Sequence, residues 1–254
     1  MTMILENVCL EAGGRRLVDH LEMTVEPGQC WFVYGRNGVG KTTLLKTMAG
    51  LQKPDSGCIV LDDLVLPEWQ ARALARKRAY LPQAQEDTFG FTVMETVLAA
   101  RFPYQTGYLG DSAGDIEKAV SALERLEVFH LAGRDIRTLS GGERQRVAVA
   151  SMLAQDTPLM LLDEPASALD LSHQASLLGL IRELCRERNK AVVMIVHDLN
   201  MAWDVASHVL LLYGNGLWEA GKREAMMCAE KLSTCLQFPV QTVLHEDRTV
   251  FVSY

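Results

Sequence analysis

The chain has 254 residues, of which 48% are hydrophobic and 22% charged, so it can bury a large core in one or two domains. Its formal net charge of −7 argues against nucleic acid as the main partner. No apolar run reaches the roughly 18 residues that cross a bilayer, and the N-terminus lacks the basic and long apolar regions of a signal peptide. We therefore expect a soluble chain that stays in the cytosol.

The cysteine content also indicates a cytosolic protein. Six are present, most of them in apolar surroundings and none in C-x-x-C spacing: Cys9, Cys30, Cys58, Cys185, Cys228 and Cys235. Reduced thiols are the usual form of cysteine in the cytosol. Their spacing predicts no zinc site.

The N-terminal part predicts antiparallel strands. Residues 4–10 and 21–25 alternate apolar and polar side chains, and Gly13-Gly14 between them is typical of a hairpin turn. The apolar run 30–34 predicts a buried strand, and residues 58–61 predict another short one. We expect these strands to form one mixed sheet with the strands that follow.

A phosphate-binding loop follows the buried strand. Gly35, Gly40, Lys41 and Thr42 fit the pattern G-x-x-x-x-G-K-[ST]. Glycines let backbone N–H groups turn toward a phosphate, Lys41 can bind the β- and γ-phosphates, and Thr42 can offer its hydroxyl to Mg²⁺. The alternative is a glycine-rich turn that binds nothing. The predicted nucleotide-binding residues are Gly35, Arg36, Asn37, Gly38, Val39, Gly40, Lys41, Thr42 and Thr43.

The middle of the chain changes character. Residues 67–78 predict a helix with a basic side, which we interpret as a solvated face; a contact with an acidic or membrane-proximal partner is the alternative. A short strand at 79–81 ends at Pro82-Gln83. Strand patterns are then absent from 84–140, where helical periodicity predicts an inserted helical region.

Alternating helices and strands resume after the insertion. The predicted helices cover 142–154, 172–187 and 199–206, and the predicted strands cover 158–162, 191–196 and 209–212. Fully apolar strands between helices indicate a parallel sheet covered on both faces. Beyond residue 221 the pattern weakens, and it predicts a helix at 223–235 with short strands at 240–244 and 250–252.

Polar side chains follow the ends of three predicted strands. Asp163 directly ends an apolar strand, where its carboxylate would lie beside the phosphate loop and could hold Mg²⁺. Glu164 could accept a proton from the attacking water or orient it, although an Asp-Glu pair also suits a helix N-terminus. His197 ends the next strand in register with Asp163 and could contact a γ-phosphate. Gln83 could reach the metal or the water through its side-chain oxygen.

A second anion-binding helix start lies far along the chain, at residues 139–146. Ser140 is a good N-cap, and Gly141 with Gly142 leaves the backbone open to close approach. One phosphate group seldom needs two such cradles from the same fold. We therefore infer that this segment meets a nucleotide bound to another copy of the chain.

Taken in order, these motifs resemble the ATP-binding cassette (ABC) family. The matching stretches are 35–43, Gln83, 139–146, 159–165, 167–170 and His197. The resemblance covers about residues 3–220. It implies an α/β fold of the P-loop NTPase (RecA-like) type, with a mixed sheet core, an antiparallel β subdomain and an inserted helical subdomain. It also implies one nucleotide-binding domain over 1–254, with the helical subdomain at about 84–140 and a weakly defined segment at about 221–254.

The family resemblance also assigns roles. It implies a head-to-tail homodimer that sandwiches two ATP molecules, each between the phosphate loop of one subunit and Ser140, Gly141, Gly142 and Gln145 of the other. Glu164 would be the general base, His197 the γ-phosphate switch, Gln83 the link to a membrane partner, and Asp170 an interface residue. Thr42, Gln83 and Asp163 would hold Mg²⁺. The chain departs from the family near Ala12, where many members carry an aromatic residue that stacks on adenine.

One group within the family is most similar. Residues 91–97, followed by Arg101-Phe102-Pro103-Tyr104, resemble the T-V-x-E-x-V…G-R-x-P segment of importers for iron–siderophore, haem and cobalamin, with Ala100 in place of the usual Gly. The resemblance implies separate polytopic transmembrane subunits, a periplasmic or surface substrate-binding protein, and a peripheral location at the cytoplasmic face of the inner membrane.

Other classes fit less well. Another ABC importer or an exporter remains an alternative, as does a non-transport ABC ATPase. Members that organise DNA carry long insertions between the motifs, and members that act in translation carry two cassettes in one chain. This sequence shows one set of motifs and no long insertion between Lys41 and Ser140. A small P-loop kinase would have no reason to carry residues 139–146. The presence of Lys41, Asp163, Glu164 and His197 argues against a module that has lost hydrolysis.

Overall fold

The computed structural model describes residues 1–83, 89–105, 110–246 and 248–253, with the backbone alone at Ala202, Arg248 and Ser253. Its strands are β1 (Met3–Ala12), β2 (Arg15–Val25), β3 (Cys30–Gly35), β4 (Ser56–Leu61), β5 (Leu64–Val65), β6 (Arg78–Leu81), β7 (Leu159–Asp163), β8 (Ala191–Ile195), β9 (His208–Gly214), β10 (Leu217–Lys222), β11 (Val240–His245) and β12 (Arg248–Ser253). Its α-helices are α1 (Lys41–Met48), α2 (Ala71–Ala75), α3 (Val93–Ala99), α4 (Ala113–Arg125), α5 (Gly141–Gln155), α6 (Leu171–Arg186), α7 (Leu199–Val205), α8 (Arg223–Met226) and α9 (Ala229–Leu236).

The central sheet has six strands in the order β10-β9-β3-β8-β7-β6. All neighbouring pairs are parallel except β9 with β10. Side chains of β3 alternate between two buried clusters: Phe32 and Tyr34 face one, and Trp31 and Val33 face the other. Because both faces are covered there, the inner strands β3 and β8 are apolar along their whole length, as the sequence predicted.

The N-terminal strands form a sheet of their own, with the order β2-β1-β4-β5. The prediction that they share one sheet with the phosphate-loop strand is therefore wrong. The physical reason is that β8 and β9 occupy both edges of β3. The two sheets meet where Val18 forms a bridge with Gly216 and where Trp218 Nε1 donates a 2.8 Å hydrogen bond to the carbonyl of Asp19.

The predicted helix at 67–78 is largely wrong. A 3-10 turn spans Leu66–Glu68, Gln70 is extended, and α2 has only five residues. Arg72 and Arg76 are exposed, Lys77 and Arg78 are half-buried, and the exposed pair binds within the chain itself. The Arg72 and Arg76 guanidinium groups donate to the carbonyl of Pro103, at 3.0 and 2.7 Å. This basic side therefore contacts the inserted helical region at the turn that follows α3.

The inserted region is helical as predicted, although 84–88 and 106–109 lie outside the described residues. Its helices α3 and α4 each begin with a capping box and pack against α5. A buried ion pair ties the region together: Arg101 Nε donates to Asp115 at 2.8 Å, and its guanidinium lies over the Tyr104 ring. Since both charged groups are buried, removing either one would leave the other as an unpaired buried charge.

The C-terminal part is better ordered than its sequence pattern indicated. The sequence did not predict β10, and the single predicted helix at 223–235 is two helices, α8 and α9, separated near Met227. The predicted terminal strands are confirmed as the hairpin β11–β12. Helix α9 packs on β3 and β9, so this segment belongs to the central layers. Within the described ranges, no helix has both the length and the apolar character needed to cross a bilayer.

Candidate functional site

The phosphate loop connects the buried end of β3 to the first turn of α1. A Cβ at Gly35 would lie 2.6 Å from the carbonyl oxygen of Leu212, so only glycine fits against β9 there. Gly40 takes the N-cap position of α1 with a φ of 107°, a left-handed conformation that also favours glycine. The two glycines that frame the motif are therefore required by the neighbouring strand and by the helix start.

The Lys41 side chain lies inside this loop. Its Nζ donates hydrogen bonds to the carbonyls of Gly35 at 2.7 Å and Arg36 at 3.0 Å. Burial lowers the pKa of Lys41, whereas the nearby Glu164 and Asp163 carboxylates oppose the shift. The ammonium is thus fixed at the centre of the loop, where bound phosphates would meet it.

Three predicted site residues converge at the carboxyl ends of β6, β7 and β8. Gln83 Nε2 donates to Glu164 Oε2 at 2.9 Å, and His197 Nε2 lies 2.6 Å from Glu164 Oε1. The backbone of Glu164 is left-handed, with a φ of 51°, an uncommon conformation for a residue with a long side chain. The structure therefore holds this carboxylate from both sides and at some cost in backbone strain.

Asp163 lies beside them, on the last residue of β7. It is completely buried, and neither of its carboxylate oxygens has a hydrogen-bond partner among the described residues. Burial raises the pKa of Asp163, the Glu164 charge raises it further, and the nearby Thr42 hydroxyl opposes the shift. A buried carboxylate without a partner, next to a hydroxyl, fits a site for a hard divalent cation such as Mg²⁺.

Replacing Asp163 by Asn is expected to raise the free energy of unfolding of the nucleotide- and metal-free protein by about 1 kcal/mol, and to abolish Mg²⁺-dependent ATP hydrolysis. Folding raises this pKa, so the ionised carboxylate opposes folding above the raised pKa, and protonation removes that cost as the pH falls. The difference in the free energy of unfolding between the variant and the wild type should therefore be largest at neutral pH and should decrease as the pH falls. Urea denaturation in the presence of a chelator, at a series of pH values, measures it.

The matched control is Asp156→Asn. The Asp156 carboxylate is partly buried, but ion pairs with Lys118 and Lys190 outweigh that burial and lower its pKa. Its removal should therefore destabilise the protein at neutral pH. Equal changes of the same sign in both variants would contradict our account of Asp163.

A cavity of about 860 Å³ joins these groups. Its lining combines the phosphate loop, the strand-end residues and the N-terminal hairpin: Ala12, Gly13, Arg15, Leu17, Asn37, Gly38, Gly40, Lys41, Thr42, Thr43, Gln83, Glu164 and His197. The sequence located Ala12 and its neighbours at the adenine position but did not identify Arg15 or Leu17. Their position beside the Gly13-Gly14 turn was the available signal. This cavity is the size of a small-molecule site.

The C-terminal segment also reaches the phosphate loop. The Arg36 guanidinium donates a hydrogen bond to the side-chain oxygen of Gln237, which directly follows α9. The sequence offered no signal for this contact, because the two residues lie at opposite ends of the chain.

The predicted trans-acting residues are not in the lining of this cavity. Ser140 caps α5, where its hydroxyl accepts from the Glu143 backbone N–H at 3.3 Å. Gln145 Nε2 donates to the carbonyl of Pro165 at 2.8 Å. Asp170 caps α6, and the hydrogen bond from the His173 backbone N–H is the first cause that lowers the pKa of Asp170 to about 2. Ser140 and Gly141 are exposed, so their trans role stays a prediction.

A phosphate loop at the edge of a parallel sheet, with a carboxylate pair and a histidine around one cavity, defines a nucleotide-hydrolysing P-loop protein. The family model described as ABC transporter matches residues 18–167. The chain belongs to this family, and it is an ATP-binding ATPase.

Curated relatives are similar over most of the chain. The petrobactin import ATP-binding protein FpuD of Bacillus anthracis is 37% identical, covering 87% of this chain and 81% of its own. The hemin import ATP-binding protein HmuV of Nocardia farcinica is 40% identical, covering 91% and 79%. The two relatives differ in the cargo that their names give.

Solved structures agree in fold. A metal-chelate type ABC transporter in an inward-facing conformation has a TM-score of 0.86 at 28% identity, covering 100% of this chain and 97% of the matched chain. A cassette solved as a dimer with ADP and Pi has a TM-score of 0.76 at 26% identity, covering 87% and 98%. These structures match the α/β P-loop architecture predicted from the sequence.

Proposed function

We propose that the chain is the ATP-hydrolysing subunit of a metal-chelate importer and that it works as a homodimer. The observation that carries the proposal is the arrangement around Glu164, whose carboxylate is bound by Gln83 and His197 beside the unpartnered Asp163. Curated relatives that serve hemin and petrobactin import support the cargo class.

The roles follow from positions in the cavity. Lys41 and the N–H groups of residues 35–43 bind the β- and γ-phosphates, because the loop surrounds the Lys41 ammonium. Glu164 takes a proton from the attacking water, and His197 fixes the orientation of that carboxylate and contacts the γ-phosphate. Asp163, Thr42 and Gln83 would hold Mg²⁺, which would supply positive charge to neutralise the phosphates.

Gln83 is placed to connect hydrolysis with the membrane partner. Its amide binds the catalytic carboxylate directly, and it is the last residue before 84–88. A displacement of Gln83 by a transmembrane subunit would change its hydrogen bond to Glu164. Coupling would therefore act through the orientation of the base.

The dimer completes the nucleotide site. Ser140 and Gly141 are not among the residues that line the cavity, and they present an exposed helix start. A second copy, turned head to tail, would bring Ser140, Gly141, Gly142 and Gln145 to the γ-phosphate, with Asp170 near the interface. The similar cassette solved as a dimer with ADP and Pi supports dimerisation.

The remaining assembly follows from the same proposal. One nucleotide-binding domain spans 1–254, with its helical subdomain at 84–140. It lies at the cytoplasmic face of the inner membrane on separate polytopic subunits, and a periplasmic or surface protein delivers the cargo. Iron–siderophore and haem are the cargoes that the relatives' names support, and cobalamin remains a member of the same class.

Deletion of the gene in its host tests the cargo class. Growth is expected to stop when haem or a ferric siderophore is the sole iron source and to continue with ferrous salt. The wild-type gene should restore growth, whereas a Glu164→Gln allele should not. Normal uptake of haem, siderophores and cobalamin in the deletion strain would contradict the proposal.

A further inference from the structure

A cluster of three metal-ligating side chains lies in the N-terminal sheet, outside the nucleotide site. Cys9, Asp19 and His20 each offer one ligand atom, and these atoms lie within 4.8 Å of one another. Among the described residues, this is the one such group of three or more His, Cys, Asp or Glu. The three residues supply sulfur, oxygen and nitrogen, the ligand atoms that Zn²⁺ prefers.

A β-bulge builds the cluster. Val8 pairs with Leu21 and Leu10 pairs with Val18, so Asp19 and His20 together oppose the single residue Cys9. His20 adopts a left-handed backbone with a φ of 47°, which is uncommon outside glycine. The spacing of ten residues in sequence explains why the cysteine pattern gave no zinc signal.

The backbone of the bulge is anchored. The Asp19 N–H donates to the carbonyl of Gly216 at 3.0 Å, and its carbonyl accepts from Trp218 Nε1 at 2.8 Å. The His20 N–H donates to Cys9 Sγ at 3.2 Å. The side chains therefore start from fixed backbone positions, which reduces the ordering cost of binding.

Two of the three distances between the ligand atoms fit a tetrahedral ion, and the third, between Cys9 Sγ and the His20 ring nitrogen, is within 4.8 Å. Zn–S bonds near 2.3 Å with Zn–N and Zn–O bonds near 2.0–2.1 Å separate the ligand atoms by about 3.3–3.6 Å. Cys9 Sγ lies 3.5 Å from Asp19 Oδ1, and His20 Nε2 lies 3.7 Å from the same oxygen. Only shifts of tenths of an ångström separate these two distances from those of a coordinated site.

One cation already competes for this oxygen. Arg16 Nη1 donates to Asp19 Oδ1 at 2.7 Å, and the same guanidinium donates to Glu11 through Nε and Nη2. Because Glu11 can keep Arg16 paired, Asp19 can exchange it for a metal ion. Cys9 Sγ also lies 3.8 Å from the carbonyl of Asn7, as donor to that oxygen.

We propose that Cys9, Asp19 and His20 form a binding site for a divalent transition-metal ion of the Zn²⁺ type. The Cys9 thiol releases its proton to solvent on binding, and the thiolate, one carboxylate oxygen and one imidazole nitrogen become ligands. Water takes the fourth position, on the side where His20 is exposed. The ion fixes the hairpin that carries Arg15 and Leu17 into the nucleotide cavity.

Competition titration of the full chain, without a histidine tag, nucleotide or Mg²⁺, tests the site with Zn²⁺ and a chromophoric chelator. One ion per chain is expected. Cys9→Ser, Asp19→Asn and His20→Asn should each weaken Zn²⁺ binding at least about tenfold, since even outer-shell partners are worth that much. Asn tolerates the left-handed backbone at position 20, and 67% of the His20 side chain is exposed, so that variant should fold.

Two control variants, and one variant that should bind Zn²⁺ more tightly, distinguish this site from other metal-binding groups of the chain. Cys58→Ser and His130→Gln should leave the affinity unchanged, and Arg16→Met should increase it by removing the competing cation. The Co²⁺ complex should show sulfur-to-metal charge-transfer absorption that Cys9→Ser removes. Unchanged affinity in His20→Asn, or loss of the ion in Asp163→Asn instead, would overturn the proposal.

Discussion

A Glu164→Gln variant is expected to hydrolyse ATP about a thousandfold more slowly than the wild-type chain, while it still binds ATP. The amide keeps the size of the carboxylate and can still bond to Gln83 or His197, but it cannot accept a proton from water. Steady-state release of phosphate measures the first effect. Equilibrium binding of a fluorescent ATP analogue measures the second.

The same variant should accumulate as a dimer. If hydrolysis reopens the ATP sandwich, a chain that binds without hydrolysing remains closed, and size-exclusion chromatography should show a dimer only when Mg²⁺ and ATP are present. Glu95→Gln is the control, because Glu95 belongs to a capping box, where glutamine is also suitable. A hydrolysis rate within threefold of wild type would remove Glu164 from the role of base.

Two inactive variants are expected to restore activity when mixed. Lys41→Ala removes the ammonium at the centre of the phosphate loop, and Ser140→Arg blocks the exposed start of α5. Each homodimer should lose at least about a hundredfold in hydrolysis, as with the loss of one group that stabilises developing charge. A heterodimer keeps one complete site, built from the intact loop of one chain and the intact Ser140 of the other.

Random pairing in an equal mixture should return about a quarter of the wild-type rate, because half of the dimers carry one working site of two. Ser112→Arg controls for the loss of a helix cap, since Ser112 caps α4 with the same geometry. It should remain active alone. Absence of recovery in a mixture shown to exchange subunits would contradict the composite site.

The predicted site residues that the structure brings together owe their positions to local rules. The phosphate loop follows from a strand, a glycine pattern and a helix start. Asp163, Glu164 and His197 meet because parallel strands present their carboxyl ends at one edge of the sheet. In each case, the position along one element determined the position in space.

The features that the sequence missed depend on contacts between distant segments. Strand β10 was not predicted because it is a half-exposed edge strand. The Asn215-Gly216 pair before it is nevertheless a strong hairpin signal. The contact of Arg36 with Gln237 forms only in the tertiary fold. Asp19 and His20 lie beside Cys9 only because of a β-bulge. The helix predicted at 67–78 is interrupted because Gln70 remains extended.

The central position of β3 also bears on how the protein is made. This strand is synthesised early, yet both of its partners, β8 and β9, come much later in the chain. Ribosomes add about 5–20 residues per second, so a nascent chain waits on the order of ten seconds before β3 can pair. Gln237, which holds Arg36 of the phosphate loop, emerges later still. ATP therefore has no finished loop to bind until the chain as far as Gln237 has emerged, long after the loop residues themselves have been made.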